Sequence, residues 1–320
     1  MMKKMFNNRL IFRLKNTLQD ALKKRFVSSR SKRKSDMVTP GVSRFLTGSY
    51  TDFSGSLRYH LFLPSNYHPG MPLLVMLHGC KQDAEMFATG TRMNKHAEQL
   101  GFAVLYPSQS RLANVHKCWN WYKYINQHRD MGEPAVIAGM TRNVMQTYQI
   151  NPQKVYIAGL SAGAAMAYIV GSAYPDIYAA IGVHSGLLYR GINNMFSALA
   201  LMKNGAEQVG QQEELNPSRE AQPLIIFHGD NDEVVHAQNA ADLMAYHQKQ
   251  NSLTEHQFQE TSTPYSHTRT TYQNEQGKNL AEQWIIHGAG HAWSGGSAEG
   301  NFTDANGPDA SLEMVRFFMQ

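Results

Sequence analysis

A serine enclosed by two glycines is the strongest chemical signal in this 320-residue chain. Gly159-Leu160-Ser161-Ala162-Gly163 follows an apolar segment that begins at Val155 and precedes a run of small residues. Strand, sharp turn and helix in this order are typical of a serine nucleophile. The glycines let neighbouring backbone approach closely, and the helix start directs free N–H groups at a developing oxyanion. We predict that Ser161 is a nucleophile; the alternative is a Gly/Ser turn that only packs a helix on a sheet.

A serine hydroxyl needs a base to take its proton and an acid to orient that base. The apolar segment 224–228 opens into an acidic loop, in which Asp232 is the predicted acid. Asp230 is the second choice, expected to form the turn at the strand end, and Glu233 ranks below it. The alternative is an aspartate-rich turn without a catalytic role.

The predicted base is His291, which lies in the glycine-rich segment 288–296 after the last predicted strand. His287 ends that strand and is expected to be structural. The chain order of serine, then aspartate, then histidine is that of hydrolases built on a parallel sheet. An oxyanion needs two donors: the N–H of Ala162 follows the nucleophile, and the N–H of Cys80 follows the apolar segment 72–78.

Apolar segments alternate with helical patterns over residues 42–320, the predicted catalytic domain. This alternation predicts an α/β fold, a mostly parallel sheet with helices on both faces. Residues 186–221 lie between two predicted strands without strand character and are interpreted as a cap insertion. Predicted strands cover 57–64, 72–78, 102–107, the segment from 155, 179–184, 224–228 and 283–287, the last paired in a hairpin with 268–272; predicted helices cover 84–100, 134–148 and the segment from 162.

Charge separates the chain into a basic extension, residues 1–41, and a mildly acidic remainder, although the net charge is +5. Residues 1–36 hold twelve lysines and arginines but two acidic residues. An acidic body argues against nucleic-acid binding. No stretch is apolar for the roughly 20 residues that a transmembrane helix requires. With two cysteines, Cys80 and Cys118, a cysteine-based zinc site is not expected and one disulfide can form.

An apolar residue recurs every four positions from Phe6 to Phe26, between lysines and arginines. This pattern predicts a basic amphipathic helix over residues 1–29, followed by a linker. Such a helix could anchor the protein to an anionic lipid or granule surface. The alternatives are a solvated extension or a helix packed on the body. The segment has no continuous apolar core before a cleavage site, so it does not read as a secretory signal.

Together these residues resemble the poly(3-hydroxybutyrate) depolymerase family of α/β-hydrolase esterases, which is related to feruloyl and acetylxylan carbohydrate esterases. The resemblance covers about residues 45–320. It rests on five motifs in order: Leu77-His78-Gly79-Cys80-Lys81-Gln82, Cys118-Trp119-Asn120-Trp121, Gly159-Leu160-Ser161-Ala162-Gly163, His228-Gly229-x-x-Asp232-x-x-Val235 and Gly290-His291-Ala292-Trp293-Ser294-Gly295-Gly296.

The resemblance implies a triad of Ser161, Asp232 and His291, with Cys80 as an oxyanion donor. It implies that the segment around Trp119 and Trp121 lies against a polyester chain, and we expect these tryptophans and Trp293 to offer flat apolar walls. It calls for no metal and no organic cofactor. Because Cys80 and Cys118 fall inside family motifs, we expect them to form a disulfide, the alternative being two buried thiols.

The expected activity is that of a serine esterase on short-chain hydroxyalkanoate esters, polymer or oligomer. The alternatives are a carbohydrate esterase that releases feruloyl or acetyl groups and, in another class, a non-catalytic polymer-surface binding protein. The family resemblance implies an extracellular protein, although the chain shows no clear signal peptide. The alternative location is the cytoplasm, in association with granules.

Overall fold

The structure is a computed structural model that describes residues 41–189, 192–205, 222–260 and 265–320. All of them belong to one compact unit, Pro40–Gln320. The predicted N-terminal helix and linker, and the parts of the predicted cap at 190–191 and 206–221, lie outside the described residues. No helix in the described part is long and apolar enough to cross a membrane.

A ten-stranded sheet forms the centre of the unit, in the order β1-β2-β4-β3-β5-β6-β7-β10-β9-β8. Its strands are β1 (Arg44–Asp52), β2 (Gly55–Leu63), β3 (Leu73–Leu77), β4 (Ala103–Ser108), β5 (Val155–Leu160), β6 (Ala180–His184), β7 (Leu224–Gly229), β8 (Thr254–Glu260), β9 (His267–Gln273) and β10 (Asn279–Ile286). The six central strands run parallel to one another, and the two strands on each side of them pair in antiparallel fashion. The six are β4, β3, β5, β6, β7 and β10.

Helices connect these strands and follow the last of them. They are α1 (Ala84–Thr91), α2 (Met93–Leu100), α3 (Gly132–Thr147), α4 (Ala162–Ala173), α5 (Met195–Asn204), α6 (Gln238–Asn251) and α7 (Ala310–Phe318). Two short strands, β11 (Trp293–Ser294) and β12 (Thr303–Asp304), pair with each other, and a single 3-10 turn covers Tyr124–Asn126.

Helices cover both faces of the sheet, as predicted. A Cβ at Gly171 of α4 would meet Ile157 and Ile181, which point to one face of β5 and β6. A Cβ at Gly182, one residue further along β6, would meet Met314 of α7 on the other face. Since successive side chains alternate across a strand, strands covered on both sides bury the side chain at every position and are mostly apolar. Every residue of β3, β5, β6 and β7 is buried.

The single helix predicted over 84–100 is wrong, because the chain forms two helices that meet at Arg92. Arg92 has a left-handed backbone (φ 54°), which ends α1 and begins α2. Its guanidinium donates to the carbonyl oxygen of Gly295 and lies 3.4 Å from Asp309 Oδ2. These distant contacts hold a conformation that no local pattern indicates.

Candidate active site

Ser161 occupies a strained turn between β5 and α4. Its backbone has a positive φ (φ 58°, ψ −123°), a conformation that residues with a Cβ rarely adopt. A hydrogen bond from its N–H to the carbonyl oxygen of His184 (2.9 Å) ties the turn to the next strand. A Cβ at Gly159 would lie 2.7 Å from the carbonyl oxygen of Leu77, and one at Gly163 would overlap the same carbonyl group. The two glycines are therefore required by the close approach of β3.

Asp232 and His291 form a buried pair beside this turn. Nδ1 of His291 lies 2.7 Å from Oδ2 of Asp232, and their side chains are 10% and 0% exposed. The other carboxylate oxygen accepts the N–H groups of Val234 and Val235 at 2.9 and 2.8 Å. Burial is the largest single influence on Asp232 and opposes its ionisation, but the hydrogen bond and charge of His291, together with the N–H of Val235 and the nearby His228, lower the pKa of the carboxyl group overall. The pair is thus a carboxylate that accepts a proton-bearing Nδ1 and leaves Nε2 free to act as a base.

Neighbouring parallel strands bring the three residues to one edge of the sheet. Ser161 follows β5, Asp232 follows β7 and His291 follows β10, and all three lie beyond the carboxyl ends of strands. Within the described ranges the Ser161 hydroxyl forms no hydrogen bond with a protein group. The hydrogen bond between a nucleophile and its base is often long or poorly aligned before substrate binds.

The predicted oxyanion donors lie on either side of this turn. Ala162 is the first residue of α4. A Cβ at Gly79, the residue before Cys80, would lie 3.6 Å from Cβ of Ser161, so the loop after β3 runs against the turn. Among the described residues, the N–H groups of Cys80 and Ala162 donate to no protein acceptor. Two unpaired N–H groups next to a serine are the arrangement that stabilises an oxyanion.

Gln82, quoted in a motif but given no role by the sequence, holds the Gly79–Cys80 turn. Its side chain is fully buried. Oε1 accepts the N–H of Gly79 (2.9 Å), and Nε2 donates to the carbonyl oxygen of Asn301 (2.6 Å). The amide therefore fixes the backbone of the predicted oxyanion loop against the chain that follows His291.

Glu133, which the sequence analysis missed, organises the loop between β4 and α3. It accepts hydrogen bonds from the backbone and side chain of Asn120 (2.8 and 2.6 Å) and from Gln109 (2.7 Å). Burial raises the pKa of this carboxyl group despite those bonds. Its only sequence signal is an acidic residue in the first turn of a helix, which is common to many helices.

The Cys80–Cys118 disulfide is present, as the family resemblance implies. It joins the loop after β3 to the loop that carries Trp119 and Trp121. Since Cys80 is also a predicted oxyanion donor, the covalent link constrains the loop that runs against the Ser161 turn at Gly79.

The predicted tryptophan walls are wrong for Trp119 and Trp293, which are fully buried. The indole N–H of Trp119 donates to the carbonyl oxygen of His78 (3.0 Å). Trp293 donates to the hydroxyl of Ser311 (3.0 Å) and belongs to the hydrophobic core. Trp121 retains 4% exposure and offers almost no surface. These side chains support the loops of the site from behind, because a large ring contributes most free energy when it is buried.

Asp230, the second choice for the acid, and His287, which was expected to be structural, form a pair of their own. Nδ1 of His287 lies 2.8 Å from Oδ2 of Asp230, whose other oxygen accepts the N–H of Gly288 (2.6 Å). Nε2 of His287 lies 2.9 Å from the hydroxyl of Thr268. Both nitrogens of this ring are engaged, as a structural role requires. Within the described residues, no group of three or more His, Cys, Asp or Glu side chains is arranged to hold a metal ion.

Comparison with known proteins identifies the family to which the chain is similar. The sequence model of the family described as "Esterase PHB depolymerase" matches residues 57–262. Poly(3-hydroxyalkanoate) depolymerase C of Paucimonas lemoignei is 29% identical over 248 residues, which are 74% of this chain and 58% of that protein. Acetylxylan esterase A of Talaromyces purpureogenus is 33% identical over 151 residues, 47% of this chain and 38% of that protein. The chain thus spans between about two fifths and three fifths of these relatives.

Among solved structures, the acetyl xylan esterase from Aspergillus awamori superposes with a TM-score of 0.64 at 19% identity, covering 86% of this chain and 99% of that one. A ferulic acid esterase superposes with a TM-score of 0.51 at 16% identity, covering 78% and 92%. At these identities the likeness shows the α/β-hydrolase fold. The family match covers well over half of the chain, and the chain therefore belongs to the Esterase PHB depolymerase family of carboxylic ester hydrolases.

Proposed function

We propose that the protein hydrolyses short-chain hydroxyalkanoate esters, as poly(3-hydroxybutyrate) or its oligomers, through Ser161, His291 and Asp232. The observation that carries this proposal is the buried hydrogen bond between Asp232 and His291, at the sheet edge where Ser161 sits in its strained turn. The polyester substrate is supported by the Paucimonas relative, whose match extends over 74% of the chain, against 47% for the acetylxylan esterase.

In the first half of the reaction, Ser161 Oγ attacks the ester carbonyl carbon while Nε2 of His291 takes the hydroxyl proton. Asp232 holds the imidazole in the tautomer with hydrogen on Nδ1 and stabilises the imidazolium that forms. The carbonyl oxygen becomes an oxyanion that the N–H groups of Cys80 and Ala162 stabilise. Collapse of this intermediate breaks the bond to the alcohol oxygen, which leaves with the proton from His291.

In the second half, a water molecule attacks the acyl-enzyme and gives its proton to His291. The same two N–H groups stabilise the second oxyanion. The acid leaves, and Ser161 recovers its proton from His291. One donor of such a pair contributes about 3–4 kcal/mol to the transition state in serine hydrolases. A donor must be held in a fixed position to make this contribution, and Gln82 holds the turn before Cys80 through its hydrogen bonds to Gly79 and Asn301.

A carbohydrate esterase is the second candidate function, and the 33% identity to acetylxylan esterase A favours it. The chemistry would be the same, with an acetyl or feruloyl ester of a polysaccharide as the substrate. The two candidates differ only in what the loops around Ser161 admit.

The Cys80–Cys118 disulfide supports an extracellular location, because such bonds persist in oxidising compartments. The alternative of a granule-bound cytoplasmic protein rests on residues 1–36, whose proposed binding to an anionic surface concerns residues outside the described ranges. A vesicle-binding assay with and without residues 1–36 tests that part independently of catalysis.

The test of function is acid release from p-nitrophenyl butyrate, a 3-hydroxybutyrate oligomer and methyl ferulate. Ser161→Ala serves as the blank, and we expect it to lose at least about 10⁴-fold in kcat. Release of acid from the first two substrates alone supports the hypothesis that the substrate is a polyester. Release of ferulate supports the carbohydrate esterase instead. Undiminished turnover by Ser161→Ala contradicts the mechanism.

A further inference from the structure

His184 contacts both sides of the proposed catalytic machinery. It ends β6, which lies between β5, leading to Ser161, and β7, leading to Asp232. Its carbonyl oxygen accepts the N–H of Ser161 (2.9 Å). Its ring Nε2 accepts the backbone N–H of Ser294 (3.0 Å), three residues after His291. A single residue therefore binds the backbone of the nucleophile and the loop of the base.

The imidazole of His184 has one orientation and one protonation state. It is 1% exposed and is stacked between Phe227 and Trp293, with ring centroids 5.8 and 5.0 Å away. Because Nε2 accepts a hydrogen bond, the proton of the neutral ring is on Nδ1, which lies 3.3 Å from the Ser185 hydroxyl. Burial lowers the pKa of this imidazole to about 3, with the neighbouring histidines adding to the effect.

The other hydrogen bonds around Ser294 lead away from the nucleophile. The backbone N–H of Trp293 donates to the carbonyl oxygen of Phe302 (2.8 Å), and the hydroxyl of Ser294 donates to that of Pro308 (2.7 Å). These bonds fix the loop to the 302–308 segment. The bond to His184 instead fixes it to the strand that also holds the Ser161 turn.

We propose that His184 is a positioning residue, whose neutral Nε2 sets the separation between Ser161 and His291 by holding the Ser294 backbone against β6. The inference rests on the proposed function, since it gives His184 a role in that reaction without contact to substrate. A misplacement of about 1 Å between reacting groups can cost about 10²-fold in rate. Loss of the acceptor should therefore appear in kcat, while substrate affinity changes little.

Two substitutions separate the acceptor from the ring. His184→Phe keeps an aromatic ring between Phe227 and Trp293 but has no acceptor, and we expect kcat on p-nitrophenyl butyrate to fall about 30- to 100-fold with KM within about threefold. His184→Gln loses the ring but places an amide oxygen near the Nε2 position, and we expect it to keep kcat within about fivefold of wild type. This rescue is a result that a purely structural role does not produce.

The matched control is His247→Gln on α6, since His247 is also a buried histidine but lies outside the proposed machinery. We expect it to lower Tm and leave kcat unchanged. If His184→Phe does not fold, His184→Asn takes its place, because the asparagine side chain is too short for its amide oxygen to reach the N–H of Ser294. Equal kcat for the acceptor-free and Gln variants overturns the inference.

Ser161→Ala is assayed in the same series to keep the two proposals apart. Turnover that survives in Ser161→Ala overturns the proposed function whatever His184 does. Turnover abolished in Ser161→Ala but unchanged in folded His184→Phe overturns the role of His184 alone.

Discussion

Two aspartate–histidine pairs connect the same two loops, yet only one is suited to catalysis. The inner pair, Asp232–His291, and the outer pair, Asp230–His287, have nearly equal distances of 2.7 and 2.8 Å between Nδ1 and the carboxylate. The side chains of the inner pair are 0% and 10% exposed, against 40% and 36% for the outer pair. Electrostatic interactions are stronger away from water, so the same contact does more for the inner imidazole.

The free nitrogen differs as well. Nε2 of His287 is engaged by Thr268, whereas within the described residues no protein group binds Nε2 of His291. A contact between acid and base is thus common to both pairs. Burial and an available second nitrogen distinguish the pair that can activate a serine.

The largest expected difference between the two pairs is in kcat, when the aspartate of each pair is replaced in turn by asparagine. Asp232→Asn should lose about 10³- to 10⁴-fold in kcat, because an amide favours the wrong tautomer of His291. Asp230→Asn should stay within about twofold, since its partner is outside the reaction. Steady-state kinetics on p-nitrophenyl butyrate checks both. Similar losses in the two variants would mean that the outer pair takes part in catalysis.

Removal of the disulfide should change stability without changing the contrast between the pairs. Cys118→Ser opens a link between residues 38 positions apart, and chain entropy predicts a loss of about 3–4 kcal/mol in the free energy of unfolding. Both pairs lie on other loops, so the activity ratio of Asp230→Asn to Asp232→Asn should be the same with and without the disulfide. Urea denaturation measures the first quantity; an unchanged midpoint in Cys118→Ser would contradict the prediction.

Burial of neutral imidazoles also predicts loss of stability in acid. Burial lowers the pKa values of His78, His184 and His247 to about 4, 3 and 4, from 6.5 in the unfolded chain. Below pH 6.5 the unfolded chain binds protons that the folded chain refuses, so stability falls as the pH drops toward those lower values. At pH 5 each histidine should cost about 2 kcal/mol relative to pH 7.

Glu133 acts in the opposite direction, because its raised pKa favours the folded state on acidification. The measurement is the free energy of unfolding at pH 7 and pH 5 for wild type and His247→Gln. The variant should lose about 2 kcal/mol less than wild type over this interval. Parallel losses in the two proteins would show that His247 is not a source of the acid sensitivity.

The smallest effect is expected from the outer pair on stability. Asp230→Ala removes an exposed carboxylate that accepts hydrogen bonds from His287 and from the N–H of Gly288, and should cost about 0.5–1 kcal/mol at pH 7. The contribution should shrink in high salt, since exposed charges are screened. Thermal unfolding in low and high salt checks it. A loss above about 2 kcal/mol would show that exposure does not weaken this pair.

The fold and the positions of the proposed site residues were accessible from local sequence because both depend on local patterns. Continuous apolar runs gave the buried strands, and each motif followed one of them. The ranking of Asp232 over Asp230 likewise followed from position in the loop, and the structure gives the two residues different partners.

Burial of side chains depends on distant partners and was not accessible in the same way. Trp119 and Trp293 were expected at the substrate, but their hydrogen bonds go to His78 and Ser311, far away in sequence. The break at Arg92 depends on Gly295 and Asp309. The hydrogen bond that the ring of His184 accepts comes from the N–H of Ser294, 110 residues later in the chain. Such contacts become visible only when the chain is folded.

The positive φ of Ser161 affects which substitution gives the better inactive variant for trapping a bound substrate. Alanine at position 161 removes the hydroxyl but retains a Cβ in a conformation that disfavours it. Glycine removes both, and relief of such strain is worth about 1–2 kcal/mol. The glycine variant should therefore unfold at a higher temperature than the alanine variant. Its unfolding temperature should also be higher than that of the wild-type protein. The reactive serine would then be a site where evolution has kept reactivity at the expense of thermal endurance.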